Sequence, residues 1–324
     1  MNSFEETLQR IDNEIAHLKF DRQPGSLYDP IKYILSLGGK RIRPALALLA
    51  GNIYNNNIDH VVLPALGLEV FHNFTLLHDD LMDEADKRRN KPTVHKVWNA
   101  NAAILSGDAM LIQAYQLICS TKSEHLKEIL DLFSITALEI CEGQQLDMEF
   151  ESRLDVNEAE YLEMIKLKTA VLIACCLKTG AILGGAPKED AENLYVCGIN
   201  IGLAFQLKDD YLDVFGDPQT FGKNIGGDIL CNKKTFLLIN ALKLADQEQK
   251  EQLLYWLNQD TFDPAEKISA VKKIFTELQL DKLSETKMKA YYTKALQHIQ
   301  ALYVSPKKTK ILEDLFDQLM YRQS

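Results

Sequence analysis

The sequence predicts an all-α fold, and three observations lead there. Apolar residues recur at helical spacings of three and four, as Leu8, Ile11, Ile15 and Leu18 near the start and as Ile129, Leu132, Phe133 and Thr136 further on. Residues 99–119 and 158–182 hold the same period over several turns. Alternating apolar and polar runs of the kind that form half-buried strands are scarce.

The elements follow in order from these periods and from the breaks between them. The first amphipathic stretch carries Leu8 to Leu18, and the glycine pair Gly38-Gly39 interrupts the chain beyond it. Further breaks fall at 55–57, 90–92, 184–187, 216–227 and 261–264, where Asn, Gly and Pro collect. Two apolar runs, 71–77 and 199–207, each end in acidic residues. No low-complexity linker divides the chain, so one domain is expected over residues 1–324. The last ninety or so residues carry helical character and no recognisable motif.

Composition narrows the class. Hydrophobic residues make up 46% of the 324 and charged residues 25%, as expected of a soluble globular protein with a sizeable core. A net charge of −10 argues against a broad grip on nucleic acid, although local basic groups can still hold a small polyanion. The six cysteines show no C-x-x-C spacing and read as buried thiols of a reducing compartment. Residues 1–19 mix acidic and basic side chains without an apolar core, so no signal peptide is expected. The longest purely apolar run, near 171–177, is far short of a membrane span. A cytoplasmic protein is expected.

The chemistry sits in a repeated motif. Asp-Asp-x-x-Asp occurs as Asp79, Asp80 and Asp83 and again as Asp209, Asp210 and Asp213. On a helix the first and last aspartates of each copy project from nearly one face, with the middle one to the side. Three carboxylates within about one turn repel one another unless cations compensate them. A single cluster of this kind is usually a solvated helix face; two identical clusters at the ends of apolar runs point to metal. Mg²⁺ suits them, because it takes oxygen ligands and is commonly held by one or two carboxylates together with substrate phosphates. The Asp-x-Asp-x-Asp-Gly pattern of an EF-hand is missing, and no His/Cys spacing suggests zinc.

Basic residues stand near both copies. Lys40 and Arg43 follow the glycine pair three apart, where an ammonium and a guanidinium can grip a diphosphate. Arg88 and Arg89 follow the first motif within a few residues, and Lys168-Thr169, Lys223 and Lys233 are further candidates. Residues 216–223 superficially resemble a P-loop, but the spacing is one residue too long and Asn224 stands where Ser or Thr should hold Mg²⁺. His72, seven residues before Asp79, lies only about 20° from it on an ideal helical wheel. It can look into the same cavity, although a histidine on an apolar helix is also an ordinary core residue.

Together these pieces resemble the trans-isoprenyl diphosphate synthases (polyprenyl synthetases). The matching stretches are 38–44, 78–83 with Arg88-Arg89, Lys168-Thr169, and 206–213 continuing through 215–218 to Lys223 and Lys233. The resemblance implies a helical domain around a central cavity, usually as a homodimer, with the aspartate motifs facing each other across the mouth. It implies Mg²⁺ held mainly by Asp79, Asp83 and Asp209, with Asp80, Asp210 and Asp213 in support. Arg88, Lys168 and Lys233 would then bind an allylic diphosphate, and Lys40, Arg43, His72 and Arg89 isopentenyl diphosphate. Thr169, Gln206 and Lys223 would line the reacting centre. No expected position is substituted. A class I terpene cyclase shares the first motif, but the second full aspartate motif and residues 38–44 argue against it. A non-catalytic partner subunit would tolerate loss of a ligand, and none is lost.

Product length is the finest expectation. In the family, the fourth and fifth residues before the first motif set it, and bulky side chains there shorten the product. Thr75 lies about 40° from Asp79 on the wheel, Phe74 about 140° and Phe71 about 80°. The small Thr75 lets a growing tail pass, leaving Phe74 and Phe71 as candidates for the cavity floor or as plain core packing. A C20 product is expected ahead of C15.

Overall fold

The computed structural model describes residues 3–121, 124–217 and 225–321. Helices dominate, as expected. In order they are α1 (Phe4–Ala16), α2 (Gly25–Ser36), α3 (Ile42–Tyr54), α4 (Asp59–Met82), the short α5 (Val94–Val97), α6 (Ala100–Ile118), α7 (Leu126–Glu151), α8 (Glu158–Ile165), α9 (Val171–Gly184) and α10 (Lys188–Phe215). A shorter helix, Gly227–Leu230, follows, and then five more to Tyr321. The helix expected over 158–182 is interrupted. Lys166–Ala170, between α8 and α9, form a π-helical turn, an irregularity often found at functional sites. The break expected at 90–92 is a two-stranded antiparallel ribbon, Lys87–Arg88 against Lys91–Pro92. Its turn residues, Arg89 (φ 51°) and Asn90 (φ 62°), are both left-handed, which is the geometry of a type I′ hairpin.

The chain groups into two compact units, one of residues 1–134, 175–194 and 303–312, the other of 135–174, 195–302 and 313–324. In the first, α4 runs along α3 and α6, burying Val61, Ala65, Leu68 and Phe71. The core of the second includes Val214, Leu237, Leu253, Val271 and Phe275. Two helical stretches, Asp59–Met82 and Glu158–Gly184, are long and apolar enough to cross a membrane by length and composition, more than the short run at 171–177 suggests. They bury 67% and 83% of their apolar windows inside the protein, as core helices do. The thiols divide evenly. Cys175, Cys176 and Cys197 are buried, whereas Cys119, Cys141 and Cys231 are exposed, so burial does not account for all six.

Candidate active site

The first motif ends α4. Asp80 is buried, and Asp79 is partly so. Asp83, the exposed C-cap, donates its backbone N–H to the Asp79 carbonyl at 2.9 Å. The middle carboxylate is turned inward, and α4 ends just before Asp83. The hairpin brings Arg88 back onto it. Arg88 Nε lies 2.9 and 2.8 Å from the two Asp80 oxygens and Nη2 2.7 Å from Oδ1, while Nη2 stands 3.9 Å from Asp79. Burial raises the Asp80 pKa, and the Arg88 guanidinium opposes that rise.

The turn residue Arg89 points the other way, onto the glycine pair. A Cβ on Gly39 would sit 2.8 Å from its Nη2, which could swing aside, but Gly39 has φ 144°, a backbone that favours glycine. Lys40, next in the chain, is exposed. Arg41 then takes a left-handed conformation (φ 47°) and turns inward. Its guanidinium donates to Glu69 at 2.7 Å and to the Leu35 carbonyl at 2.9 Å, with both paired side chains only 4% exposed. Arg43, on the first turn of α3, lies 3.0 Å from His72 Nε2. Burial, and then Arg43, Arg89, Arg88 and Arg41, hold the His72 pKa well below its usual value. His72 is thus a neutral ring that accepts from Arg43, within a field of four guanidiniums.

Along α4, Phe71 is buried in an aromatic cluster, 5.0 Å from Phe133 between ring centroids, and Phe133 in turn meets Tyr115 at 4.8 Å. Phe74 is half-buried and lies edge-on to His78 at 4.7 Å. Thr75, also half-buried, donates its hydroxyl to the His72 carbonyl.

The second motif lies near the end of α10. Asp210 is buried, accepting from Tyr161 at 2.5 Å and from Gln206 at 2.9 Å. Thr169, in the π turn, donates to Gln206 Oε1 at 3.1 Å, so Thr169, Gln206 and Asp210 form one chain of hydrogen bonds. Asp213 accepts from the backbone N–H of Asp228 at 2.9 Å. Burial, reinforced by Asp228, pushes Asp210 up to about 7; burial pushes Asp228 itself up to about 6, with Lys233 opposing. Asp209 is half-buried. Lys223 lies outside the described residues.

Asp147 was not anticipated from the sequence. It sits on α7, where it accepts from Lys168 Nζ at 2.6 Å and faces Lys233 Nζ at 3.9 Å; the two lysines lower its pKa against the effect of burial. Gly143, one turn earlier, was the available signal. A Cβ there would lie 2.3 Å from the backbone nitrogen of Lys168, so a glycine inside a strong helical run marks where α7 meets the π turn. Among the described residues, no three His, Cys, Asp or Glu side chains gather closely enough to hold a metal ion by themselves. The two motifs offer carboxylate oxygens, donors that suit a hard divalent cation.

A helical protein with two aspartate-bearing helix ends, each set among fixed cations, is in class a transferase acting on diphosphates. The family model described as Polyprenyl synthetase matches residues 24–277, and the chain belongs to that family. It is 43% identical over 235 residues to a geranylgeranyl diphosphate synthase of Methanosarcina mazei, covering 72% of each chain. It is 39% identical over 239 residues to a geranylfarnesyl diphosphate synthase of Natronomonas pharaonis, covering 68% of this chain and 70% of that one. Among solved structures, a geranylgeranyl pyrophosphate synthase superposes over 100% of both chains with a TM-score of 0.94 and 45% identity. The protein is an isoprenyl-type prenyltransferase, and its family uses a divalent metal.

Proposed function

We propose that the protein is a short-chain trans-prenyltransferase that joins isopentenyl diphosphate to dimethylallyl, geranyl and farnesyl diphosphates and stops at geranylgeranyl diphosphate. The observation that carries this reading is the set of cations held in place beside each motif, Arg88 across Asp79 and Asp80, and Lys168 and Lys233 on Asp147. Such groups stabilise a departing diphosphate without reorganising as the bond breaks. Asp79, Asp83 and Asp209 would hold Mg²⁺, with Asp80, Asp210 and Asp213 in support. Bound there, Mg²⁺ supplies Lewis-acid stabilisation of the leaving group.

The remaining roles follow from this chain's own side chains. Arg88, Lys168 and Lys233 bind the allylic diphosphate. Arg43, Arg89 and Lys40 bind isopentenyl diphosphate, and the neutral His72 orients Arg43 rather than adding charge. Thr169 spends its proton on Gln206, leaving its oxygen lone pairs for an allylic cation, and Lys223 belongs to the same group by position. Apolar helix faces exclude the water that would quench the cation. The released diphosphate takes the final proton.

One catalytic domain is the favoured organisation, because the boundaries after residues 134, 174 and 194 fall inside α7, α9 and α10 rather than in linkers. A homodimer is favoured too, since α6 exposes Leu105 and Ile112 at 59% and 60%, a large apolar exposure for a polar solvent to tolerate. A cytoplasmic, soluble enzyme completes the reading. Purified protein incubated with Mg²⁺, isopentenyl diphosphate and each allylic starter should release diphosphate and yield a C20 alcohol after phosphatase treatment. Absence of any prenyl product would overturn the reading, and a C15 product would make it a farnesyl diphosphate synthase.

A further inference from the structure

Immediately before Lys233 the chain turns at Asn232. Asn232 is left-handed (φ 54°), and its side chain is held at both ends. Its Nδ2 donates to the Leu257 carbonyl at 3.1 Å, and its Oδ1 accepts from Lys267 Nζ at 2.7 Å. Its carbonyl accepts from Lys234 Nζ at 3.0 Å, and the same ammonium reaches the Glu151 carbonyl at the end of α7, the helix that carries Asp147. The Lys233 N–H then closes onto the Asp228 carbonyl at 2.9 Å.

Lys267 is the unusual member. It is fully buried, on the helix Pro264–Glu277, although lysine is almost never buried unless paired. Its hydrogen bonds go to neutral oxygens, Asn232 Oδ1 and the Leu230 carbonyl at 3.3 Å, and its ammonium lies 4.0 Å from the centre of the Phe262 ring. Burial lowers its pKa. An ammonium so placed is expensive for stability, and a methionine of similar shape would be cheaper. Beside the segment lies a small cavity of about 20 Å³, bordered by Asp228, Lys233, Asn232 and Lys267 and by apolar side chains including Val214 and Phe275. The hydrogen bonds of Asn232 and Lys234 tie the segment to the helices around it.

We propose that Lys267 is a positioning residue for prenyl transfer: through Asn232 it fixes the segment 228–233 so that Lys233 meets the allylic diphosphate. The inference rests on the role given to Lys233 above. Two variants test it, Lys267→Met, which keeps the volume and removes the ammonium, and Asn232→Gly, which keeps the left-handed backbone and removes both side-chain bonds. Each should raise the KM for the allylic diphosphate roughly tenfold, the scale found when a supporting partner is removed. The KM for isopentenyl diphosphate should stay within about twofold, because uniform binding of that substrate is untouched. The double variant should be no worse than either single one, as expected when both break the same link.

A purely structural role would instead lower the melting temperature and leave the allylic KM at its wild-type value, and that result overturns the proposal. So does an allylic effect in Asn232→Gly that Lys267→Met, folded, does not share. If Lys267→Met shows no cooperative melting, the allylic KM of Asn232→Gly decides alone. An inactive wild-type protein would overturn the prenyl-transfer reading and this inference with it, whereas an active wild type with unmoved variants overturns this inference only.

Discussion

The two aspartate motifs share a sequence but not an electrostatic design. In both, the middle carboxylate is buried and the outer two are more open. Asp80 is met by a guanidinium, Arg88, whereas Asp210 is met by a phenol and an amide, Tyr161 and Gln206. Burial and then four arginines keep His72, on the first copy's helix, neutral. The second copy has Asp209, Asp213, Asp228 and Asp147 acting with Lys233 and Lys168, so carboxylates outnumber cations among the described residues there. The first region is charge-compensated by the protein itself. Among the described residues the second carries an excess of negative charge, which a divalent cation would offset.

The strongest way to break this comparison is to remove the outer ligands. Asp79→Asn and Asp209→Asn should each lower kcat by about 10³, the scale of losing a group that stabilises a departing anion. If Asp209→Asn retained wild-type turnover at millimolar Mg²⁺, the second region would not be a metal site. The middle aspartates should then part company. Asp80→Asn leaves Arg88 with only its looser contact to Asp79 at 3.9 Å and should cost about 2 kcal/mol in urea unfolding. Asp210→Asn removes a buried charge that is met by a phenol and an amide and only at longer range by Lys233, and should be neutral or stabilising at pH 8. Equal losses from the two substitutions would show that the motifs are held alike.

How much of this was legible in the sequence depended on distance along the chain. The aspartates, Gly38-Gly39 and Arg88-Arg89 were readable because each signal lies within a few residues of its partner. The alternation of cations in 40–43 was not enough to say that Arg41 alone turns inward, since that follows from a left-handed backbone and from Glu69, 28 positions away. Asp147 meets Lys168 and Lys233 across 21 and 86 positions, beyond any local period. The π turn under Lys168-Thr169 was invisible for another reason, because residues 170–177 are apolar all round and hide the shift in phase that an extra residue causes. The helical wheel placed Phe71 about 80° from Asp79. It could not show that Phe133, itself backed by Tyr115, encloses it.

That enclosure separates two roles on the helix before the first motif. Phe74, half-buried, is the better candidate for the floor, and Phe71 belongs to the core. Phe74→Ala should lengthen the extracted product beyond C20 at nearly wild-type stability. Thr75→Phe should shorten it to C15. Phe71→Ala should instead cost about 3–5 kcal/mol, as large-to-small changes in a filled core do. If product length followed Phe71 and ignored Phe74, the assignment would be reversed.

The smallest expected effect concerns pH, and it tests the second region without substrate. Asp210 stands at about 7 and Asp228 at about 6 in the folded protein, both raised mainly by burial. In the unfolded chain such carboxylates titrate near about 3.9. The folded state therefore keeps its protons longer, so the stability these groups contribute is fully present below the unfolded value. It is lost as pH rises through the folded values. The melting temperature of the metal-free protein should fall by a few degrees between about pH 5 and pH 7.5, more than that of Asp210→Asn over the same range. Added Mg²⁺ should recover the loss at the upper end, because a ligand that binds only the folded state stabilises it by mass action. A curve for the metal-free wild type that ran parallel to that of Asp210→Asn would mean that the second motif carries no excess charge, and the contrast with the arginine-compensated first motif would go with it.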